Sequence, residues 1–265
     1  MKKVVSFVLV SFMSVIILGG CFFKDKQVVF NPDEDYKNVS FATVNTENDL
    51  LLNIESALKS IKAYNLEVLF NNNSNNKTIT GNVSVILGGL SKETSMIGNL
   101  NLNDSNLKIY LNEGIINITY PFTTIDVGVR DNLSNLKDEF SSILLNYGLE
   151  IKNLDDYLDT ASFINFDLVE WFENHDVSYN FDEAKNIYDI NIVKNSEVIL
   201  LKVDSYFRPV EVDFENENNS FNLKVTYPKS KVTLNFPASL RGITFVSLQR
   251  ALNMAGKESL EDLIG

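Results

Sequence analysis

The stretch "VILLKVDSYFRPVEVDFENENNSFNLKVTYPKSKVTLNF", residues 198–236, decides the fold class of this chain. Val210, Val212 and Phe214 alternate with Glu211, Asp213 and Glu215. Phe221, Leu223, Val225 and Tyr227 alternate with Asn222, Lys224 and Thr226, and Val232, Leu234 and Phe236 with Thr233 and Asn235. Successive side chains of a strand point to opposite faces, so each run predicts a strand with one dry and one wet face. Val198 to Val203 is apolar on both faces and reads as a central strand. Turn formers alone separate the later runs, at Asn216–Asn219 and Pro228-Lys229-Ser230. Connections this short restrict neighbours to antiparallel pairing, because a parallel crossover takes about a dozen residues or more.

The same pattern extends upstream. Leu66, Val68 and Phe70 lead into an asparagine-rich turn, residues 71–76. Ile79, Gly81, Val83, Val85 and Leu87 follow, alternating with Thr80, Asn82 and Ser84 up to Gly88-Gly89. Met96, Gly98, Leu100 and Leu102 come next, then a turn at Asn103-Asp104-Ser105 and the run Leu107, Ile109, Leu111. Asn112-Glu113-Gly114 predicts a tight hairpin into Ile116, Ile118 and Tyr120, closed by Pro121. Tyr188, Ile190 and Ile192 form a further run before the turn at Asn195-Ser196. The total is about eleven strands, and an open sheet of that size curls or splits into two layers.

Helical periodicity brackets the strands. Thr46 with Asp49 three residues on forms an approximate capping box ahead of Leu51, Ile54, Leu58 and Ile61, and this helix ends near Tyr64. Leu133, Leu136, Phe140, Ile143, Leu144 and Tyr147 predict a second helix, stopped by Gly148. A less regular stretch, Leu154 to Phe172, predicts a third. After Pro237 a short helical tail carries Phe245, Leu248 and Leu252, is broken by Gly256, and has Leu260 and Leu263 beyond. The expected fold class is α+β and mostly antiparallel β: a curled sheet, or half-barrel, of about eleven strands with helices on its concave face.

The N-terminus carries a different signal. Met1-Lys2-Lys3 precedes an apolar run from Val4 to Leu18, the length of a signal-peptide core and short of the roughly 20 residues that span a bilayer. It ends in Leu18-Gly19-Gly20-Cys21, which resembles the bacterial lipobox. That resemblance implies a diacylglycerol thioether on Cys21, cleavage before it, and a chain lipid-anchored on the extracytoplasmic face of the cell membrane. Cys21 is the only cysteine among 265 residues, so no intramolecular disulfide is available and the core must hold the fold. Residues 1–20 are then the signal peptide and 21–45 a lipidated, aperiodic tether, which as a flexible coil would span about 25–30 Å. Residues 46–237 form one domain, and 238–265 a helical tail.

Loss of Lys2 and Lys3 leaves 21 basic against 35 acidic residues. A surface this acidic is repelled by nucleic-acid phosphates and anionic headgroups, which excludes nucleic acid as a partner and leaves membrane attachment to the lipid.

A leading helix, a strand meander, inserted helices and a second meander resemble the half-barrel of LolA-type lipoprotein carriers, an architecture shared by the LprG/LppX lipoproteins. In order of elements the resemblance covers residues 46–237. In residue character it is strongest in "LLKVDSYFRPVEVDF", residues 200–214, where a proline opens the second strand, and in Val232 to Pro237, which resembles the closing strand. The carriers are soluble shuttles, whereas this chain has an anchor of its own. The resemblance therefore implies an anchored lipid carrier.

On that reading an apolar cavity holds lipid or a lipopeptide, lined by Val83, Val85, Leu100, Ile109, Ile118, Phe140, Leu144, Val212 and Val225, with the helix from Leu133 to Tyr147 as its lid. The alternative is an anchored structural or interaction protein with a filled core, whose acidic face or tail meets a protein partner that the sequence leaves unknown. No enzyme signature stands out. His175 is the single histidine, and Asp33-Glu34-Asp35 and Asp155-Asp156 lack the calcium-loop spacing. These read as solvated groups, and Phe166, Trp171 and Phe172 as core packing. No metal, cofactor or catalytic residue is expected.

Overall fold

The computed structural model describes residues 26–30, 41–87, 95–103, 105–112, 115–119, 127–146, 176–194, 197–236, 244–260 and 262. Cys21 with its lipobox, the acidic runs at 33–35 and 155–156, the stretch Leu154 to Phe172 with Phe166 and Trp171, and His175 lie outside the described residues.

Strand β1 is Lys26–Phe30, and helix α1, Glu47–Ser60, follows. A first meander comprises β2 (Ala63–Asn72), β3 (Lys77–Ile86), β4 (Ser95–Leu102), β5 (Ser105–Asn112), β6 (Ile115–Thr119) and β7 (Val127–Asn132), running directly into α2 (Leu133–Asn146). A second comprises β8 (Asp176–Asp182), β9 (Ile187–Lys194), β10 (Glu197–Asp204), β11 (Pro209–Glu215) and β12 (Asn219–Thr226). The chain ends with β13 (Val232–Phe236), β14 (Thr244–Val246) and α3 (Leu248–Ala255).

Twelve strands form one curled open sheet in the order β14-β7-β6-β5-β4-β3-β2-β12-β11-β10-β9-β8. Its two meanders meet at β2 and β12, where Leu66 pairs with Val225, Val68 with Leu223 and Phe70 with Phe221. Matching apolar residues across this joint is what unites two locally folded halves, since cross-strand pairs are the unit of sheet stability. Pairing is antiparallel throughout except between β14 and β7. Asn112 stands opposite Ile115, so β5 and β6 pair antiparallel as expected; residues 113–114 between them lie outside the described residues.

The concave face is one continuous apolar cluster. Inward rows such as Phe70, Ile79 and Leu102 meet Leu50, Leu51, Ile54 and Ala57 of α1, Leu136 and Ile143 of α2, and Leu248, Ala251 and Leu252 of α3. Thr46 caps α1: its hydroxyl accepts from the Asp49 N–H at 3.2 Å while the Asp49 carboxylate accepts from the Thr46 N–H at 3.0 Å. Two backbone donors at the helix start are satisfied as the sequence predicts. The helix ends sooner than expected, at Ser60, because Tyr64 is already strand.

On the convex face a ladder of alternating charge fixes the register of the second half. Asp189, Lys202, Glu211, Lys224 and Glu67 stand opposite one another in succession across five strands. The Lys202 ammonium donates to Glu211, which holds that carboxyl below the usual carboxylate range and the lysine above its own. Glu211 therefore contributes stability above the unfolded carboxylate pKa of about 4.3, lost as pH falls through its lower folded value. Lys202 contributes below about 10.4, and that contribution is lost as pH rises through its folded value. Glu211→Gln is expected to lower stability by up to about 1 kcal/mol at neutral pH, with the difference from the parent chain vanishing in acid. Urea midpoints measured at pH 7 and pH 3 check this; a difference independent of pH would refute the ion pair.

Three expectations are corrected. First, the segment 21–45 is not an unbroken tether: Lys26–Phe30 is a strand, paired with β13 from Lys26↔Phe236 to Phe30↔Val232. Second, β13 does not close the main sheet. With β1 it forms a two-stranded sheet on the convex face, where Phe30, Leu234 and Phe236 pack on Ala63 and Ile86, with Ile97 and Tyr110 alongside. Third, the tail is neither wholly helical nor an appendage. Phe245 lies in β14, and Leu248, Leu252 and Leu260 are part of the main core. Gly256 does end α3, in the left-handed conformation at φ 63° that favours glycine.

Candidate functional site: the covered concave face

Two inward positions of the sheet carry no side chain. Gly81 and Gly98 occupy inward positions of β3 and β4, opposite Leu100 and Val83 respectively. A Cβ on Gly81 would lie 2.5 Å from the Asn99 carbonyl oxygen and 2.5 Å from a Leu100 methyl. Strands approach across Gly81 more closely than a side chain there would allow.

Seven of the residues expected to line a cavity fall together on this face. Val83, Val85, Leu100, Ile109, Ile118, Val212 and Val225 belong to a single cluster and are between 1% and 9% exposed. Phe140 and Leu144 are in α2, but their side chains lie outside the described residues.

Among the described residues, the cover over the face comes from helices that meet the sheet near its two edges. α1 packs against β8, the terminal strand at one edge; α2 and α3 pack against β7, next to the other edge. These helices are pinned by polar contacts that periodicity does not reveal. Asn53, a buried amide on α1, donates to the Ala42 carbonyl at 2.8 Å and accepts from its N–H at 3.0 Å, tying the chain before the helix to the helix itself. On the other side, Asp131 accepts from the Leu248 N–H at 3.1 Å and Glu139 from the Leu260 N–H at 2.7 Å. Each of these carboxylates thus accepts from one backbone N–H of the C-terminal segment.

The register gives the sheet two chemically different ends. Asn65 pairs with Thr226, so the next residues outward, Tyr64 and Tyr227, fall at the same end as the β10–β11 turn and the β8–β9 turn. Aromatic rings gather there. Phe207 packs against Phe41 at 4.8 Å and Tyr188 at 5.5 Å between centroids, and Phe181 against Tyr188 at 4.6 Å. The Arg208 guanidinium sits 4.3 Å from the centre of the Tyr227 ring and 5.0 Å from that of Tyr206. Desolvation raises the phenol of Tyr64 far above its ordinary value and that of Tyr188 in the same direction, so both rings stay neutral.

Phe207 adopts φ 57°, the left-handed region that costs a residue with a Cβ about 1–2 kcal/mol. Asp204 holds the turn around it. One carboxylate oxygen accepts from the Tyr206 and Arg208 N–H groups, each at 2.9 Å, and the other accepts from the Arg208 side chain at 2.6 and 2.9 Å. Asp204 to Arg208 lies inside the stretch that resembles the carriers, yet alternation offers no sign that this turn seats an aromatic ring. The opposite end is asparagine-rich. Asn71 to Asn76 surround one turn, Asn216, Asn218 and Asn219 another, and Asn103 a third. Asn72 and Asn216 close their own turns by accepting from N–H groups two and three residues on.

No family model matches this chain, and no curated protein matches it in sequence. Solved structures are similar in part. The MucA/MucB complex of Pseudomonas aeruginosa aligns at 12% identity and a TM-score of 0.36, over 71% of this chain and 57% of that one. The match thus spans little more than half of that chain's length. Mycobacterium tuberculosis lipoprotein LppX aligns at 12% identity and a TM-score of 0.41, over 68% of this chain and 95% of its own. LprF from Mycobacterium bovis aligns at 8% identity and a TM-score of 0.40, over 67% of this chain and 90% of its own.

Proposed function

We propose that this chain is an extracytoplasmic lipoprotein, held to the membrane by lipid on Cys21, that binds lipid or a lipid-linked molecule against its concave face and catalyses no reaction. One observation carries the reading: a continuous apolar face is covered, among the described residues, by helices that meet the sheet near its two edges. Helices that cover a sheet can lift from it without breaking a ladder hydrogen bond. An acyl chain entering there exchanges one apolar contact for another, and each CH₂ removed from water contributes about 0.8 kcal/mol.

A second reading is favoured by the low exposure of the expected lining residues, 1–9%. Side chains this well covered also describe a filled core, in which case the chain is an anchored interaction protein. Native mass spectrometry of residues 22–265, after gel filtration and incubation with membrane lipids, separates the two. Lipid that stays bound and displaces as one discrete mass is the expected result. An unchanged apo mass across phospholipid classes and acyl lengths would refute carriage and leave the filled core.

A further inference from the structure

We propose that the aromatic end of the sheet is a membrane-docking surface, held against the bilayer interface by a short leash that β1 creates. The inference rests on the lipid anchor at Cys21 proposed above and adds to it an orientation.

The first ground is chain length. Without β1, the first described residue after the anchor would be Phe41, which a fully extended chain allows to stand about 70 Å from Cys21. With β1 paired to β13, the fixed point is Lys26, and the reach falls to about 18 Å. The β1–β13 pair is seated over Ala63, the first residue of β2, and Ile86, the last of β3. These stand opposite each other at the same end as Tyr64 and Leu87. The anchor therefore draws this end, and not the other, to the membrane.

The second ground is what that end displays. Among the described residues, the two exposed aromatic side chains are Tyr206, 62% exposed, and Phe181, 38% exposed, and both are here. Tyr64, Tyr188 and Tyr227 stand half-buried behind them, with the Arg208 guanidinium against the Tyr206 and Tyr227 rings. Tyrosine rings and stacked cations, with an apolar body and a polar tip, suit the headgroup level of a bilayer. The asparagine turns at the far end offer neither, and are hydrated at no loss. In this pose the aromatic rim lies where a lipid leaving the bilayer would first meet the apolar face.

Lipidation blocks the only native thiol, so an introduced cysteine takes a fluorophore at one known place. Lys229→Cys reports the aromatic end and Asn73→Cys the asparagine end; both residues are exposed and separated by the length of β2, about 30 Å. The full-length processed lipoprotein is placed in phosphatidylcholine vesicles carrying headgroup-level spin-labelled quenchers. Quenching at least threefold stronger at position 229 than at position 73 is expected. Inserting fifteen Gly/Ser residues after Lys24 should at least halve that preference. Equal quenching at the two sites, a reversed preference, or a preference untouched by the insertion would overturn the proposal. Mass spectrometry of the same samples keeps the two ideas apart: missing acyl groups count against the anchor, and acyl groups without an oriented end against the docking surface.

Discussion

Deleting residues 247–265 is expected to unfold the whole domain rather than free it of a tail. Leu248, Leu252 and Leu260 are each under 9% exposed and belong to the main core. Full burial of a leucine contributes about 1.5–3 kcal/mol, so the three together approach the roughly 5–15 kcal/mol by which a domain is stable. The deletion also strips cover from Val129 and Leu136, both fully buried, and removes the Leu248 and Leu260 N–H groups from the Asp131 and Glu139 carboxylates. Circular dichroism and urea unfolding would show loss of the cooperative transition. A truncated chain with the parent midpoint would show that α3 is peripheral after all. The point variant Leu260→Ala gives a graded version of the same test, with an expected loss of about 2–4 kcal/mol.

Gly81→Val should be the most damaging single substitution in the sheet. The first atom it adds meets the backbone oxygen of Asn99 at 2.5 Å, and a backbone atom, unlike a side-chain tip, cannot swing away. Relief requires β3 and β4 to part there, breaking ladder hydrogen bonds between strands whose inward side chains are buried. Overpacking of a core costs about 1–3 kcal/mol where side chains alone must yield, and this site should reach or exceed the upper figure. Gly98→Ala is the internal control. Its one tight contact would be a Val83 methyl at 3.0 Å, which a small rotation of the valine relieves, while the Asn82 carbonyl oxygen lies at an ordinary 3.6 Å. Urea midpoints for the two variants should therefore differ widely. Equal midpoints would mean that β3 and β4 part freely at Gly81.

The repeating strands were legible because their period is two and their turns are short: β2 to β6, β9 and β11 to β13 follow the alternation closely, and β10 shows as a continuous apolar run. Shorter or more polar strands were not. β8 alternates Val177, Tyr179 and Phe181 with Asp176, Ser178 and Asn180, but it is an edge strand in which even Phe181 is exposed, so the apolar signal is weak. β7 spends one of its positions on Gly128, and β14 has only three residues. β1 lies in a polar stretch, and only a partner two hundred residues away makes it a strand. The residues proposed for the concave face were found by parity alone. Asn53, Asp131, Glu139 and Phe207, which pin or rim that face, gave no periodic sign, because their roles depend on distant backbone groups.

Alternation, short turns and helical period in the sequence by themselves determined which side of most strands is apolar, that strands within each meander pair antiparallel, and where α1 and α2 begin. Those properties arise within a few residues, from the geometry of one turn or one pleat. The tertiary structure alone decided that the two meanders join at β2 and β12, that β13 leaves the sheet to pair with β1, and that the tail completes the core. Each is a choice among several surfaces of similar apolar character, and hydrophobic burial has no direction of its own. What selects the partner is register, the space left by a glycine, and the backbone donors that a distant carboxylate or amide can satisfy.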